Sequence, residues 1–115
     1  MLGFVVRYER VAERFALVER DGAVLMLEQP SERDRLYPKA ELAHPYGRGV
    51  NLEIEVRDVD AVHDSVRAAD LATTLDLEER TYARAADSVR VRQFAVADPD
   101  GYLLRFSQTL GTEAL

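Results

Sequence analysis

Short apolar segments with a period of two recur along the chain, broken by turn signals, and each predicts a strand. The first is Gly3-Phe4-Val5-Val6-Arg7-Tyr8-Glu9 and the second Phe15-Ala16-Leu17-Val18-Glu19. Asp21-Gly22, a tight-hairpin signal, leads into the third, Ala23-Val24-Leu25-Met26-Leu27-Glu28, which Pro30 ends. These three read as an antiparallel meander. Over 31–49 the pattern lapses: Ser31 can cap a short helical turn to Leu36, and Pro38, Pro45, Gly47 and Gly49 oppose regular structure. Val50-Asn51-Leu52-Glu53-Ile54-Glu55-Val56 alternates cleanly. After it the period changes, with Val59, Val62, Val66 and Ala69 at helical spacing. Asp58 stands as N-cap and Asp60 in the first turn of a helix expected to run to about Leu71. Strands are then predicted at about 73–80, 90–97 and 102–108, the last two joined through Asp98-Pro99-Asp100-Gly101.

The predicted order is β-β-β, loop, β-α-β-β-β, an α+β arrangement. Its second half is a complete βαβββ unit, and its first half is the same unit without the opening strand and helix. One domain over 1–115 is expected, with a truncated first module at 1–30, a loop at 31–49 and the second module at 50–108. Strand parity assigns Val50, Leu52, Ile54 and Val56 to a helix-packed core. Asn51, Glu53 and Glu55 fall on the opposite face.

Composition narrows the functional classes. At 115 residues, 47% hydrophobic and 31% charged, the chain has an ordinary globular balance. The formal net charge of −6 argues against nucleic acid, because neutralising phosphates needs a basic face. It suits solubility first, and it is also compatible with a cationic small molecule. The absence of cysteine excludes disulfides, thiolate nucleophiles and zinc–sulfur sites. No apolar run reaches the roughly 20 residues of a membrane span, and the N-terminus lacks a signal-peptide pattern, so a cytoplasmic protein is expected. No Ser-His-Asp constellation or phosphate-cradling glycine loop appears.

Three segments carry a family resemblance: the Leu2-Gly3-Phe4 opening, the Gly49-to-Val62 strand–helix junction, and Gln93 through Ser107. The last is the most specific, because its Asp-Pro-Asp-Gly turn lies between the closing strands of a βαβββ unit. On these grounds the chain resembles the glyoxalase/bleomycin-resistance/dioxygenase (vicinal oxygen chelate) superfamily. The resemblance implies paired βαβββ modules whose sheets curl around a ligand crypt. Such chains usually begin with a strand and helix before the Leu-Gly-Phe point. Their absence implies a shortened first module or a start codon placed downstream of the true one. The uncovered sheet face and edge lead us to expect a homodimer.

Many members hold a divalent ion with His, Gln or Glu side chains and use it as a Lewis acid. The resemblance matches those positions here to Met26, Asn51 and Arg105, the fourth lying on the missing strand. A thioether, an amide and a fixed cation are a poor set for such an ion, so neither metal nor other cofactor is expected. His63, beside the apolar stripe, is expected to face solvent, and His44 is read as an ordinary loop histidine. The same matching turns Arg105 into the crypt and puts Tyr82 where relatives often carry an aromatic that stacks on a flat ligand. Tyr46 and Phe94 are further aromatic candidates, although a phenylalanine in the position of Phe94 is more often core.

The candidate ligand-binding residues are thus Tyr82, Tyr46, Asn51, Glu53, Glu55 and Arg105. The reading favoured is metal-independent binding of a cationic or aromatic small molecule, with sequestration rather than catalysis. Two alternatives stand beside it. One is a metal-dependent lyase, isomerase, dioxygenase or thiol transferase. The other is a degenerate module with only a dimerisation or regulatory role.

Overall fold

In a computed structural model, which describes residues 2–29 and 43–114, the described residues form two sheets and one α-helix. The helical turn expected from Ser31 to Leu36, and Pro38, lie outside the described residues. The first sheet holds β1 (Val5–Arg10), β2 (Phe15–Arg20) and β3 (Ala23–Glu28), all antiparallel and in that order. Asp21 and Gly22 both adopt positive φ, 49° and 87°, the pairing that a two-residue type I′ hairpin requires. A bulge at Arg7 interrupts the register between β1 and β2, and one 3-10 turn, Val11–Glu13, joins these strands.

The second sheet is built from β4 (Asn51–Glu55), β5 (Leu75–Ala83), β6 (Asp87–Ala97) and β7 (Leu103–Ala114), ordered β4-β7-β6-β5. β4 runs parallel to β7, and the other pairs are antiparallel. The crossover from β4 to β5 carries helix α1 (Val59–Ala68). Asp58 starts the helix as expected, its carboxylate accepting from the Ala61 amide at 3.1 Å. Gln108 reaches back from β7 and accepts from the Val59 amide at 3.0 Å. Two donors that a helix start leaves free are thereby satisfied.

Three expectations are corrected here. The helix stops at Ala68 rather than near Leu71, because Asp70 turns left-handed at φ 57° and the Leu71 amide bonds back to the Val66 carbonyl. The β5–β6 hairpin is longer than the apolar pattern indicates. The Arg84 guanidinium donates to the Asp87 carboxylate at 2.6 Å while their backbones pair, which closes the hairpin without an apolar signal. Likewise β7 continues past 108 to Ala114, opposite the beginning of β6.

The core lies between α1 and one face of the second sheet. Val59, Val62 and Val66 pack on Ile54, Val56, Phe94, Val96, Leu104 and Phe106, all buried. Phe94 and Phe106 stack with centroids 5.5 Å apart. Each such side chain contributes about 1.5–3 kcal/mol by leaving water. Val50 and Leu52, expected in this core, are instead 48% and 39% exposed. The ten-residue helix is only about 15 Å long and covers Ile54 and Val56 but not the start of the strand.

Outside the core, the Arg92 guanidinium on β6 ties the helix start down by donating to the Asp60 carboxylate at 2.9 and 3.1 Å. These hydrogen bonds hold the Asp60 carboxyl below its usual pKa. A depressed folded value means the stabilising contact is full above the unfolded pKa of about 3.9 and fades as pH falls through the folded one. Carboxyl NMR should therefore give Asp60 a midpoint below that of a free aspartate, and Arg92→Gln should bring it back up. An unchanged midpoint in Arg92→Gln would refute the assignment.

Candidate functional site

Directly opposed residues in neighbouring strands point to the same side of a sheet. The register aligns Asn51 with Leu103, Glu53 with Arg105 and Glu55 with Ser107. It continues with Gln93 opposite Ser107 on one side and Glu78 on the other, and with Tyr82 two positions along from Arg80. One face of the sheet thus carries Asn51, Glu53, Glu55, Arg105, Gln93 and Tyr82, while Ile54, Phe106 and Phe94 occupy the helix side.

The polar face is organised as two groups. In the first, the Arg105 guanidinium lies 3.7 Å from a Glu53 oxygen, and the Ser107 hydroxyl donates to the other Glu53 oxygen at 3.0 Å. Glu55 is held in the same way by the Thr109 hydroxyl at 3.0 Å. In the second group Gln93, only 1% exposed, donates its amide hydrogens to Glu78 at 3.2 Å and to the Tyr82 hydroxyl at 2.7 Å. Buried amides must spend their donors, and this one fixes the Tyr82 ring while leaving it 38% exposed. The Nε of Arg105 is buried without a hydrogen-bond partner. It is a donor that a ligand oxygen could accept from.

Tyr46 is set apart from this group. It lies on the other side of the sheet, beside Tyr102 with ring centroids 6.5 Å apart, and lines a cavity of about 1110 Å³ with Leu52 and Leu104. Leu2, Phe4 and Leu25 form the opposing wall, so this cavity lies between the two sheets. The structure therefore brings together Asn51, Glu53, Glu55 and Arg105, with Tyr82 across the same face, and places Tyr46 behind the sheet in apolar surroundings.

Neither histidine joins the polar face. His44 sets its Nε2 3.3 Å from the Pro99 carbonyl oxygen, binding its loop to the Asp-Pro-Asp-Gly turn. His63, expected to face solvent, is half-buried with its ring edge-on to Phe94 at 5.1 Å. The apolar stripe is wider than the valines alone suggest, and the imidazole covers the rim of the core.

The family-type metal does not fit these residues. Arg105 brings a permanent positive charge to the carboxylate that would be the nearest oxygen donor, and Glu53 is already engaged by it and by Ser107. Met26 is 66% exposed on the other sheet. Among the described residues no three His, Asp or Glu side chains converge as a metal's ligands would.

Sequence reading passed over Gln93, Ser107 and Glu78. Gln93 did leave a signal: it interrupts the set Val89, Val91, Ala95 on one side of a strand otherwise apolar near its end.

No family model matches the chain. No curated protein matches it either. Several solved structures do. A glyoxalase/bleomycin resistance protein/dioxygenase superfamily member from Vibrio splendidus 12B01 is 37% identical, over 95% of this chain and 80% of that one, with a TM-score of 0.50. TioX from Micromonospora sp. ML1 shares 20% identity over 93% and 78% of the two chains, with a TM-score of 0.66. A glyoxalase/bleomycin resistance protein/dioxygenase from Alicyclobacillus acidocaldarius shares 18% over 96% and 76%, with a TM-score of 0.59. The last two show likeness of fold alone. With the βαβββ unit, its Asp-Pro-Asp-Gly turn and the Vibrio likeness in agreement, the chain belongs to the glyoxalase/bleomycin resistance protein/dioxygenase superfamily.

Proposed function

We propose that the chain binds a small cationic or aromatic molecule without a metal, on the polar face of the second sheet, and sequesters it rather than transforming it. The observation that carries this reading is Arg105 beside Glu53, where metal-binding members are expected to place a ligand glutamate. Tyr82 offers an exposed ring to stack on, held in place by Gln93. Glu53, Glu55 and Glu78 provide carboxylates for a cation, and the free Arg105 Nε provides a donor for a ligand oxygen. An aromatic wall with a few fixed polar anchors is the usual make-up of a small-molecule site.

Thermal-shift screening against aromatic and cationic compounds, with and without EDTA, tests the reading. A true ligand at about 100 times its Kd stabilises by about 2.7 kcal/mol through mass action. The shift should be the same in both arms and should fall away in Tyr82→Ala and Glu53→Gln. Stoichiometric nickel, zinc, iron or manganese in the purified protein would overturn the proposal, as would a shift seen only with metal.

A further inference from the structure

Gln93 lies on β6 in the floor of the polar face, almost wholly buried. Its amide nitrogen stands 3.2 Å from a Glu78 oxygen and 2.7 Å from the Tyr82 hydroxyl. An ionised carboxylate only accepts, so the group that meets Glu78 must be the NH2, and the orientation of the amide is fixed. The same nitrogen then donates its second hydrogen to the Tyr82 oxygen. A hydroxyl that accepts from the amide has its own hydrogen left to direct elsewhere. Among the described residues no acceptor takes that hydrogen, and the tyrosine is open to solvent. The polarity of one carboxylate is thus handed through a buried amide to the rim of the site, where it emerges as an O–H donor.

Glu78 also differs from its counterpart across the sheet. Glu53 is paired with Arg105, whereas among the described residues no Arg or Lys pairs with Glu78. Arg80, on the same strand, stands instead over the Tyr82 ring with its Cζ 6.0 Å from the centroid. Glu78 is half-buried, and a half-buried carboxylate without a counter-charge favours a cation arriving from outside.

We propose that Gln93 is a positioning residue that decides what the site accepts. Held by Glu78, it turns the Tyr82 hydroxyl hydrogen outward, and the face selects aromatic cations that also carry a hydrogen-bond acceptor. This deepens the small-molecule reading above and rests on it. The positive charge lies toward Glu78, and a carbonyl oxygen or ring nitrogen receives the Tyr82 hydrogen. A ligand rim of donors alone would set two donors against each other, and a hydrocarbon rim would leave the hydroxyl unpaired.

Two probes separate this proposal from the reading beneath it. N-methylpyridinium ions bearing a meta-acetyl or a meta-isopropyl group share ring and charge, are close in size, and differ in one carbonyl oxygen. In NMR titrations the acetyl probe should bind roughly three- to tenfold more tightly, the effect of one hydrogen bond. Tyr82→Phe, which keeps the ring, should bring the two affinities together. Glu78→Gln can donate as well as accept, so it releases the orientation of Gln93 and should shrink the preference. Both probes carry the same charge, so the lost attraction of the carboxylate cancels in their ratio, and a merely structural role for Gln93 would leave that ratio unmoved. Equal affinities in the unsubstituted protein would overturn the proposal and leave ligand binding intact. A preference that survives undiminished in Tyr82→Phe or Glu78→Gln would overturn it in the same way. Binding of neither probe would overturn both the proposal and the reading.

Discussion

Gly101→Ala is expected to lower the melting temperature by roughly 12–24 °C. Two costs combine at this position. Gly101 has φ 90°, a conformation that costs an L-residue about 1–2 kcal/mol. A β-carbon there would also press into the Cβ and Cα of Pro45, and overpacking of that kind costs about 1–3 kcal/mol. Their sum, about 3 kcal/mol, converts at roughly 4–8 °C per kcal/mol for a domain near this size. Gly22→Ala is the built-in control, since Gly22 has nearly the same φ of 87° but nothing within 4 Å of the added carbon. Equal losses in the two variants would show that the contact with Pro45 contributes nothing. The local consequence should be visible too. The Tyr46 amide bonds to the Asp100 carbonyl at 2.8 Å, so displacing Pro45 detaches the loop that carries Tyr46 to the inter-sheet cavity.

Phe94→Ala should cost about 3–5 kcal/mol, the range for a fully buried aromatic. Its ring is 0% exposed, stacked on Phe106 from the neighbouring strand and capped edge-on by His63 from the helix. Removing it leaves a void that the helix and sheet cannot both close, because Phe106 is fixed by its own strand pairing. In urea the midpoint should fall with the slope unchanged. Against a total stability of about 5–15 kcal/mol, such a loss brings the fold near its limit. A cost below about 1.5 kcal/mol would mean that the Phe94–Phe106 stack does not organise the core.

What the sequence disclosed divides along physical lines. The strand–helix–strand order was legible because period-two and helical spacing differ plainly, and the Asp21-Gly22 and Asp-Pro-Asp-Gly turns depend on local dihedrals. The face shared by Glu53, Glu55 and Arg105 was accessible through parity and the family resemblance. Three things were not. The closure of the β5–β6 hairpin rests on the Arg84–Asp87 pair, which has no apolar signature. The exposure of Val50 and Leu52 depends on how far the helix reaches over its sheet, which is a matter of tertiary packing. Tyr46 could be recognised as an aromatic candidate, but a loop residue has no parity to say which side of the sheet it will reach. Gln93 was readable as an interruption, and only its two bonds reveal that it positions Tyr82.

The parallel seam between β4 and β7 has a kinetic consequence. The strands from β5 to β7 follow one another closely and can zip together as a local meander. β4 must wait for them, since Glu53 and Ser107 are 54 residues apart in sequence and their meeting closes a long loop. The Glu53–Arg105 contact is accordingly among the last to form and, by the same reasoning, among the first to open. Any ligand that grips both strands would close that seam and slow the chain's unfolding, so its residence time and the protein's lifetime would lengthen together.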